Sequence, residues 1–425
     1  MTDSGPGESV SESSAPPRWK VVGPGLVVAA TGIGAADLVA TLVAGSRYGY
    51  ALLWVIIVGV IMKVVLVEGA GRYTLASGNT IFQGWRSLGK WTTVYFAPYI
   101  VIWGFVYGAA AMSSSALPIV ALFPSLDLKV VAIASGVIGF LLIWFGSYGL
   151  FEKIITVFVG IMFVTVIGAA VVAVPNVPAI VKGIVPTIPD GSIVYVLGLA
   201  GGVGGTITLA AYGYWLREKG WITPKFMRVM RIDNAMAYVI SGIFVLAMLI
   251  VGAELLYSAQ IAISTGDQGL IQLADVLKDR YGTLFGHVFL IGFWAASFSS
   301  LIGVWNGVSL MFADFVGNAK GLEQGHADTR VGGKYFRWYV AWLTFPSMAL
   351  LWLDQPIGLV LAYGVLGAIF MPFLAVTLLR LLNSDRVLPE WRNGWFTNLT
   401  LGICAFLFAW LAVDQVWEVL TKYVF

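Results

Sequence analysis

One acidic residue, Asp37, lies inside a long apolar stretch, VVGPGLVVAATGIGAADLVATLVAG. An unpaired carboxylate within a membrane costs roughly 2.5–3.5 kcal/mol, so its side chain needs a compensating partner. A metal cation arriving from water is one such partner, and the ammonium group of Lys63 in the next apolar stretch is the other. We favour the cation, because the glycines beside Asp37 predict a helix break that supplies carbonyl groups.

A second apolar stretch, SIVYVLGLAGGVGGTITLAAYGYWL, carries a similar glycine cluster five apolar stretches later. Paired breaks at corresponding positions of two halves are typical of inverted-repeat transporters, which bind their substrate between the two broken helices. Glycine-rich helices also arise from tight packing, and the pattern alone does not decide between the two explanations.

The composition places these stretches in a membrane. Of the 425 residues, 59% are apolar and only 11% are charged, whereas soluble domains are about 25% charged. This excludes a soluble enzyme. A single cysteine, Cys404, excludes an internal disulfide, and the two histidines, His287 and His326, cannot build a histidine-rich metal cluster.

Apolar stretches long enough to cross a bilayer recur along the chain, and their lengths predict helices rather than barrel strands. Eleven such spans are predicted, at approximately 21–46, 50–76, 93–121, 129–147, 150–174, 192–216, 232–256, 283–312, 338–353, 356–382 and 396–420. Residues 1–20 are predicted to form a disordered cytoplasmic tail without a signal peptide. Repeats of five spans follow at 21–190 and 191–385, and 386–425 adds a C-terminal helix.

The loop charges predict the orientation. With the N-terminus inside, eighteen Lys and Arg residues fall on the cytoplasmic side and six on the other side. The positive-inside rule therefore predicts a cytoplasmic N-terminus and an external C-terminus in the plasma (inner) membrane. The small net charge of +3 suggests no nucleic-acid partner.

Three further segments carry predictions. Residues 258–281 contain an amphipathic pattern that predicts a short external helix, either a simple connector or a gate. Glu68 and Arg72 have the spacing of a helix ion pair. A polar group in the eighth span is expected to form hydrogen bonds between helices or to line the permeation path, and consists of Ser297, Ser299, Ser300, Trp305 and Asn306.

The stretch GPGLVVAATGIGAADLVATLVAGSRYGYALLW resembles the first helices of the NRAMP (natural resistance-associated macrophage protein) family of divalent-metal transporters. FGSYGLFEKIITVFVG in the fifth span and FWAASFSSLIGVWNG in the eighth extend the resemblance over nearly all of the membrane part. The resemblance implies an all-α, LeuT-like fold with two inverted five-helix repeats, one extra helix, and interrupted helices 1 and 6.

The resemblance also locates a metal site, where the chain departs from the family. Members carry Asp-Pro-Gly-Asn at the first break, but the chain has Gly-Ala-Ala-Asp at 34–37, so the carboxylate has moved to Asp37. Members carry Met-Pro-His at the second break, but the chain has Thr-Leu-Ala at 208–210. The family glutamine of the tenth span aligns with Gly364.

These replacements remove a soft thioether ligand and, at Ala210 and Gly364, widen the pocket. Mg²⁺ prefers oxygen ligands and keeps several of its waters. The chain is thus most similar to the NRAMP-related magnesium transporters, which implies uptake of a largely hydrated Mg²⁺, and also of Mn²⁺. The expected ligands are the side chains of Asp37 and Thr208 and free carbonyls near Thr31, Gly34 and Gly205.

NRAMP members are proton symporters, and the resemblance places their coupling groups at Gly34, Ala210, Trp215 and an acidic residue of the third span. None of these three residues can take up a proton, and the third span contains no acidic residue. We therefore predict alternating access without obligatory proton movement.

Three alternatives compete with this prediction. The first is a proton-coupled Mn²⁺/Fe²⁺ importer with an altered site. The second is an amino-acid transporter of the same fold, whose substrate carboxylate Asp37 would repel. The third is a metal sensor. A sensor would need an output domain, and we expect none after the last span. For the predicted metal transporter we expect no enzyme activity, no cofactor, and a monomer whose partners are the lipid bilayer and divalent metal ions.

Overall fold

A computed structural model describes residues 23–202, 205–257, 275–279, 281–353 and 356–423. The regular structure within these ranges is helical throughout. The predicted external amphipathic helix lies mostly outside the described residues, although 275–279 are helical.

The α-helices of the described part are numbered here in chain order. They are α1 (Pro24–Gly32), α2 (Ala35–Tyr48), α3 (Leu53–Ser77), α4 (Ile81–Ser87), α5 (Lys90–Leu122), α6 (Leu128–Phe145), α7 (Tyr148–Val172), α8 (Val177–Gly183), α9 (Ile193–Gly202), α10 (Thr208–Glu218), α11 (Met227–Val251), α12 (Thr283–Ala319), α13 (Lys334–Met348), α14 (Pro356–Leu382) and α15 (Trp395–Tyr423). A π-helix, Gly252–Tyr257, continues α11.

Each of the eleven predicted spans has a helical counterpart in this series. Seven helices of the described part are long and apolar enough to cross a membrane, namely α3, α5, α6, α7, α11 with its extensions, α12 and α15. The first predicted span is divided into α1 and α2, and the sixth into α9 and α10. Helices 1 and 6 are therefore interrupted, as the glycine clusters predict.

Glycines bring two of these helices into backbone contact. A Cβ atom added at Gly45 of α2 would lie 2.6 Å from the carbonyl oxygen of Leu249 on α11. One added at Gly252 would lie 2.5 Å from the carbonyl oxygen of Leu42. Because any side chain would force the helices apart, glycine at these two positions allows α2 to pack directly on the end of α11.

The connections gather at two ends of the helices. At the end that we call the basic end, Arg217 donates a hydrogen bond to the Gly78 carbonyl at 3.0 Å, and Arg386 donates one to the Ser87 carbonyl at 2.9 Å. The predicted Glu68–Arg72 ion pair lies here with a separation of 3.0 Å. At the end that we call the opposite end, Trp54 Nε1 donates to the Thr187 carbonyl at 3.0 Å.

Candidate functional site

The first interruption is short. α1 ends at Gly32 and α2 begins at Ala35, so that Ile33 and Gly34 separate them. The Thr31 hydroxyl donates a hydrogen bond of 2.6 Å to the Val27 carbonyl, one turn earlier in the same helix. The Thr31 carbonyl accepts a hydrogen bond of 2.7 Å from the Ser300 hydroxyl of α12.

Ser300 is in turn held by α5, since the Tyr107 hydroxyl lies 3.0 Å from Ser300 Oγ. The first break is therefore tied to two other helices by neutral hydroxyl groups. The predicted hydrogen bonds between the eighth span and its neighbours are present here and at Trp305, whose Nε1 donates to Thr344 Oγ1 at 2.6 Å.

The second interruption lies against the first. α9 ends at Gly202 and α10 begins at Thr208, and Gly205 between them has φ of +93°, a conformation that favours glycine. A Cβ atom at Gly205 would lie 3.0 Å from Gly32 Cα and 2.6 Å from Thr208 Oγ1. The two breaks are thus in direct contact, and Thr208 lies at this contact.

The hydroxyl group of Thr208 is buried at the contact between the two breaks. The residue is 3% exposed, and its Oγ1 atom has no hydrogen-bond partner within the described part of the chain. A buried polar atom without a partner is unfavourable, and such atoms commonly mark a site for a water molecule, an ion or a ligand. Ala210, two residues later, is fully buried.

The carbonyl of Gly205 accepts a hydrogen bond from the ammonium group of Lys63, which lies on α3 and is 0% exposed. Lys63 Nζ also lies 3.9 Å from the sulfur of Met371 on α14. Sequence reasoning considered Lys63 only as a partner for Asp37. It missed both the contact with the second break and the nearby thioether, because residues from α3, α10 and α14 are far apart in the chain.

The carbonyls of Thr31 and Gly205 are therefore not free in this structure, which corrects the expectation of unoccupied carbonyls. Each accepts a side-chain hydrogen bond, although a carbonyl oxygen has two lone pairs and can bind a second partner. Their assignment as metal ligands stays a prediction.

For two other predicted site residues, the structure gives only the helix on which each one lies. Asp37 lies in the first turn of α2, and Gly364 lies in α14, but the surroundings of both are outside the described residues. The helix that carries Gly364 does pass beside the second break, because a Cβ atom at Gly367 would lie 2.7 Å from Thr206 Cγ2. Among the described residues, no group of three or more His, Cys, Asp and Glu side chains could hold a metal.

The basic end of α1 is held by a carboxylate. Asp233 of α11 accepts hydrogen bonds from the backbone N–H groups of Gly23 at 3.0 Å and Gly25 at 2.6 Å. The Tyr212 hydroxyl of α10 also donates to Asp233 at 2.9 Å. Because the N-terminal N–H groups of a helix lack partners within it, this carboxylate both caps α1 and fastens it to α10 and α11.

A second buried carboxylate lies near the same end. Asp314 of α12 accepts hydrogen bonds from the Thr80 hydroxyl at 2.6 Å, the Tyr214 hydroxyl at 2.7 Å and the Asn318 amide at 2.9 Å. Like Asp233, it bonds to a tyrosine of α10. Sequence reasoning identified neither residue, because isolated acids near helix ends resemble ordinary surface residues.

The opposite end contains a pocket of about 440 Å³. The Glu254 carboxylate of the π-helix lines it and accepts hydrogen bonds from the Tyr50 hydroxyl at 2.7 Å and the Asn176 backbone N–H at 2.9 Å. The opposite end thus offers a pocket beside a carboxylate, and at the basic end α1 is fastened to its neighbours.

Comparison with known proteins agrees with this architecture. The chain is 27% identical to the divalent metal cation transporter MntH of Chromohalobacter salexigens over 70% of this chain and 72% of that protein. It is 24% identical to the MntH protein of Klebsiella pneumoniae over 98% of this chain and 99% of that one.

Among solved structures, a variant of the manganese transporter of Eremococcus coleocola has a TM-score of 0.78 and 13% sequence identity, covering 95% of this chain and 88% of that one. This likeness confirms the predicted LeuT-like fold of a multi-pass membrane protein. The family model described as natural resistance-associated macrophage protein-like matches residues 25–418. The chain therefore belongs to the Nramp family.

Proposed function

We propose that this protein is a secondary transporter that imports divalent metal cations, with Mn²⁺ as its main substrate, by alternating access. The observation that carries the proposal is the contact between the two broken helices, where Gly205 meets Gly32 and the Thr208 hydroxyl lacks a described partner. Unwound backbone within a membrane is tolerated where it lines a cavity or binds a substrate. The relatives named for divalent metal and manganese transport support a metal as that substrate.

The choice of Mn²⁺ over Mg²⁺ differs from the expectation based on sequence. That expectation rested on the loss of a thioether at Thr208, but the thioether of Met371 lies near the same break, 3.9 Å from Lys63 Nζ. A thioether contributes little to the binding of Mg²⁺, which prefers oxygen ligands. The solved structure with the same fold is that of a manganese transporter, which favours the same choice.

Mg²⁺ transport without proton coupling is the second candidate. The hydroxyl of Thr208, a hard oxygen donor where the family has methionine, favours it. Both candidates can be tested by reconstituting the protein in liposomes and measuring Mn²⁺ uptake with increasing Mg²⁺. We expect Mn²⁺ flux to persist in excess Mg²⁺, whereas equal competition at comparable concentrations would establish the second candidate.

We further propose that uptake is coupled to protons, as in the family that the sequence resembles. The buried carboxylates Asp233 and Asp314 supply groups that can take up protons, and both bond to α10. Charged and titratable groups near them are Tyr148, Tyr212, Lys219, Tyr214 and Arg217. A pH-sensitive dye inside the liposomes should report acidification during Mn²⁺ uptake. Uptake at full rate without acidification would contradict coupling.

The two ends suggest the direction of transport. If the basic end faces the cytoplasm, as the loop charges predict, the pocket beside Glu254 faces outward and supplies an entrance. The membrane potential then favours inward movement of a dication by about 4.6 kcal/mol per 100 mV, twice the value for one charge. Release of α1 from Asp233 would open the path to the cytoplasm.

A further inference from the structure

Lys63 brings a positive charge to the second break. Its side chain is wholly buried, and its ammonium group donates a hydrogen bond to the Gly205 carbonyl. Gly205 is one of the positions predicted to bind the transported metal. A protein cation and a substrate cation are therefore directed to the same backbone oxygen.

The surroundings of this ammonium group are suited to a cation. The Met371 sulfur lies 3.9 Å from Lys63 Nζ, and the ring centroid of Phe408 on α15 lies 5.7 Å from it. A carbonyl oxygen, a thioether and an aromatic face all attract positive charge. The second break, α14 and α15 thus each contribute a group around the end of the Lys63 side chain.

The described contacts of the first break differ from this arrangement. There the carbonyl of Thr31 accepts its hydrogen bond from the neutral hydroxyl of Ser300. Among the contacts of the described residues, the Thr31 carbonyl therefore has a neutral donor and the Gly205 carbonyl has a charged one.

We propose that Lys63 is a tethered cation that occupies the second break in the empty transporter and that an incoming metal ion displaces. This inference rests on the proposed metal transport and deepens it. A dication and an ammonium group repel each other strongly in a buried site, where ions in solution screen them little. The long, flexible lysine side chain can withdraw when the metal binds and return when the metal leaves.

Two properties follow from this exchange of cations. Lys63 lowers the apparent affinity for metal, because binding must first move the ammonium group. It also keeps a positive charge in the site while the empty transporter returns to the other side. Loss of Lys63 should therefore impair net uptake, which needs this return, more than metal-for-metal exchange, in which the site remains loaded.

The test uses Lys63→Met, an uncharged side chain of similar length, and Lys63→Leu, which brings no ligand atom of its own, each in the full chain reconstituted in liposomes. We expect Mn²⁺ to bind at least ~10-fold more tightly in equilibrium titrations. Net Mn²⁺ uptake should fall by at least ~10-fold, while exchange of external for internal Mn²⁺ continues at nearly the wild-type rate. Lys63→Arg, which retains the charge, should recover part of the net uptake.

The matched control is Lys153→Met, the same substitution at an exposed lysine of α7, which should change none of these quantities. A Lys63→Met protein that melts like the wild type but binds Mn²⁺ with unchanged affinity, or loses exchange together with net uptake, would overturn the inference. Should this variant not fold, Lys63→Gln is measured in the same way against the same criteria. Failure of the wild type to bind or transport any divalent cation would instead refute the proposed function itself.

Discussion

Both helix breaks consist of a few unwound residues next to glycine, but the side chains that donate to their carbonyl groups differ. At the first, the Thr31 carbonyl is bonded to the Ser300 hydroxyl, and at the second, the Gly205 carbonyl is bonded to the Lys63 ammonium group. A dication 4 Å from a fixed ammonium would be repelled by roughly 8 kcal/mol at an effective dielectric constant of 20. The comparison teaches that the second break is where the binding of a cation can be regulated by the protein's own charge.

The largest expected effect tests whether the carboxylate of Asp37, which follows the first break, binds the transported ion. Asp37→Ala should reduce Mn²⁺ uptake in liposomes to background, because the variant removes the carboxylate predicted to bind the ion. The folded protein should still be recovered as a monodisperse species by size-exclusion chromatography.

Asp127→Asn is the control for this experiment. Asp127 is exposed and caps α6 by accepting a hydrogen bond of 3.0 Å from the Val130 N–H. It is distant in sequence from both helix breaks. Its variant should transport normally. Undiminished uptake by Asp37→Ala would remove Asp37 from the mechanism and leave the hydroxyl and carbonyl groups as the ligands.

The next effect concerns the helix of the first break rather than the break itself. Asp233→Asn weakens the charge-assisted hydrogen bonds to Gly23 and Gly25, each worth about 1.5–3 kcal/mol. Release of α1 should therefore become roughly 10- to 100-fold more frequent. A cysteine replacing the buried Leu26, in a Cys404→Ser background, should react faster with a membrane-impermeant thiol reagent applied at the basic end.

Asp385→Asn is the matched control, since Asp385 is fully exposed and pairs with Arg392 at 2.6 Å on the same end. It should leave the labelling rate unchanged. Equal labelling rates for Asp233→Asn and the wild type would show that Asp233 does not hold α1 closed.

A smaller effect is expected at the contact between the breaks. Thr208→Val keeps the shape of the side chain but removes the hydroxyl, so the apparent affinity for Mn²⁺ should fall by roughly 3- to 10-fold if that oxygen binds the ion. Thr208→Ser, which keeps the hydroxyl, should retain the affinity. Isothermal titration of the purified proteins measures both values, and equal affinities for the two variants would exclude the hydroxyl as a ligand.

The smallest effect is expected from the neutral donor of the first break. Ser300→Ala removes one hydrogen bond to the Thr31 carbonyl and should cost about 1 kcal/mol of stability. It should change Mn²⁺ affinity far less than Lys63→Met does, because no charge is altered. A thermal melt and a metal titration of the same sample measure the two effects. If Ser300→Ala changed the affinity for Mn²⁺ as much as Lys63→Met does, the charged donor at the second break would have no special role.

The sequence predicts the fold well because a bilayer allows few backbone conformations. Long apolar stretches form helices in a bilayer, and glycine clusters such as that before Gly205 favour an interruption where the freed backbone lines a cavity. The predicted i to i+4 pair of Glu68 and Arg72 also forms, since both residues lie on one helix. Features within a single helix were therefore accessible from the sequence.

The contents of the site were less accessible, because they depend on packing between helices. The sequence predicts that Ser300 bonds between helices, but nothing in it indicates that its partner is the Thr31 carbonyl. The contacts of Lys63 with Gly205 and Met371 join α3 to residues 142 and 308 positions later in the chain. The division of the chain into two repeats, its orientation and the expected monomer remain predictions.

The glycine contact between α2 and the end of α11 has a practical consequence. Because Gly45 and Gly252 place the two backbones against each other, these segments cannot slide or tilt separately without opening a gap. Two spin labels, one on α2 and one on the end of α11, should therefore keep a constant separation throughout the transport cycle. The distance between the two labels would be an internal reference, against which the displacement of every other helix could be measured by spectroscopy.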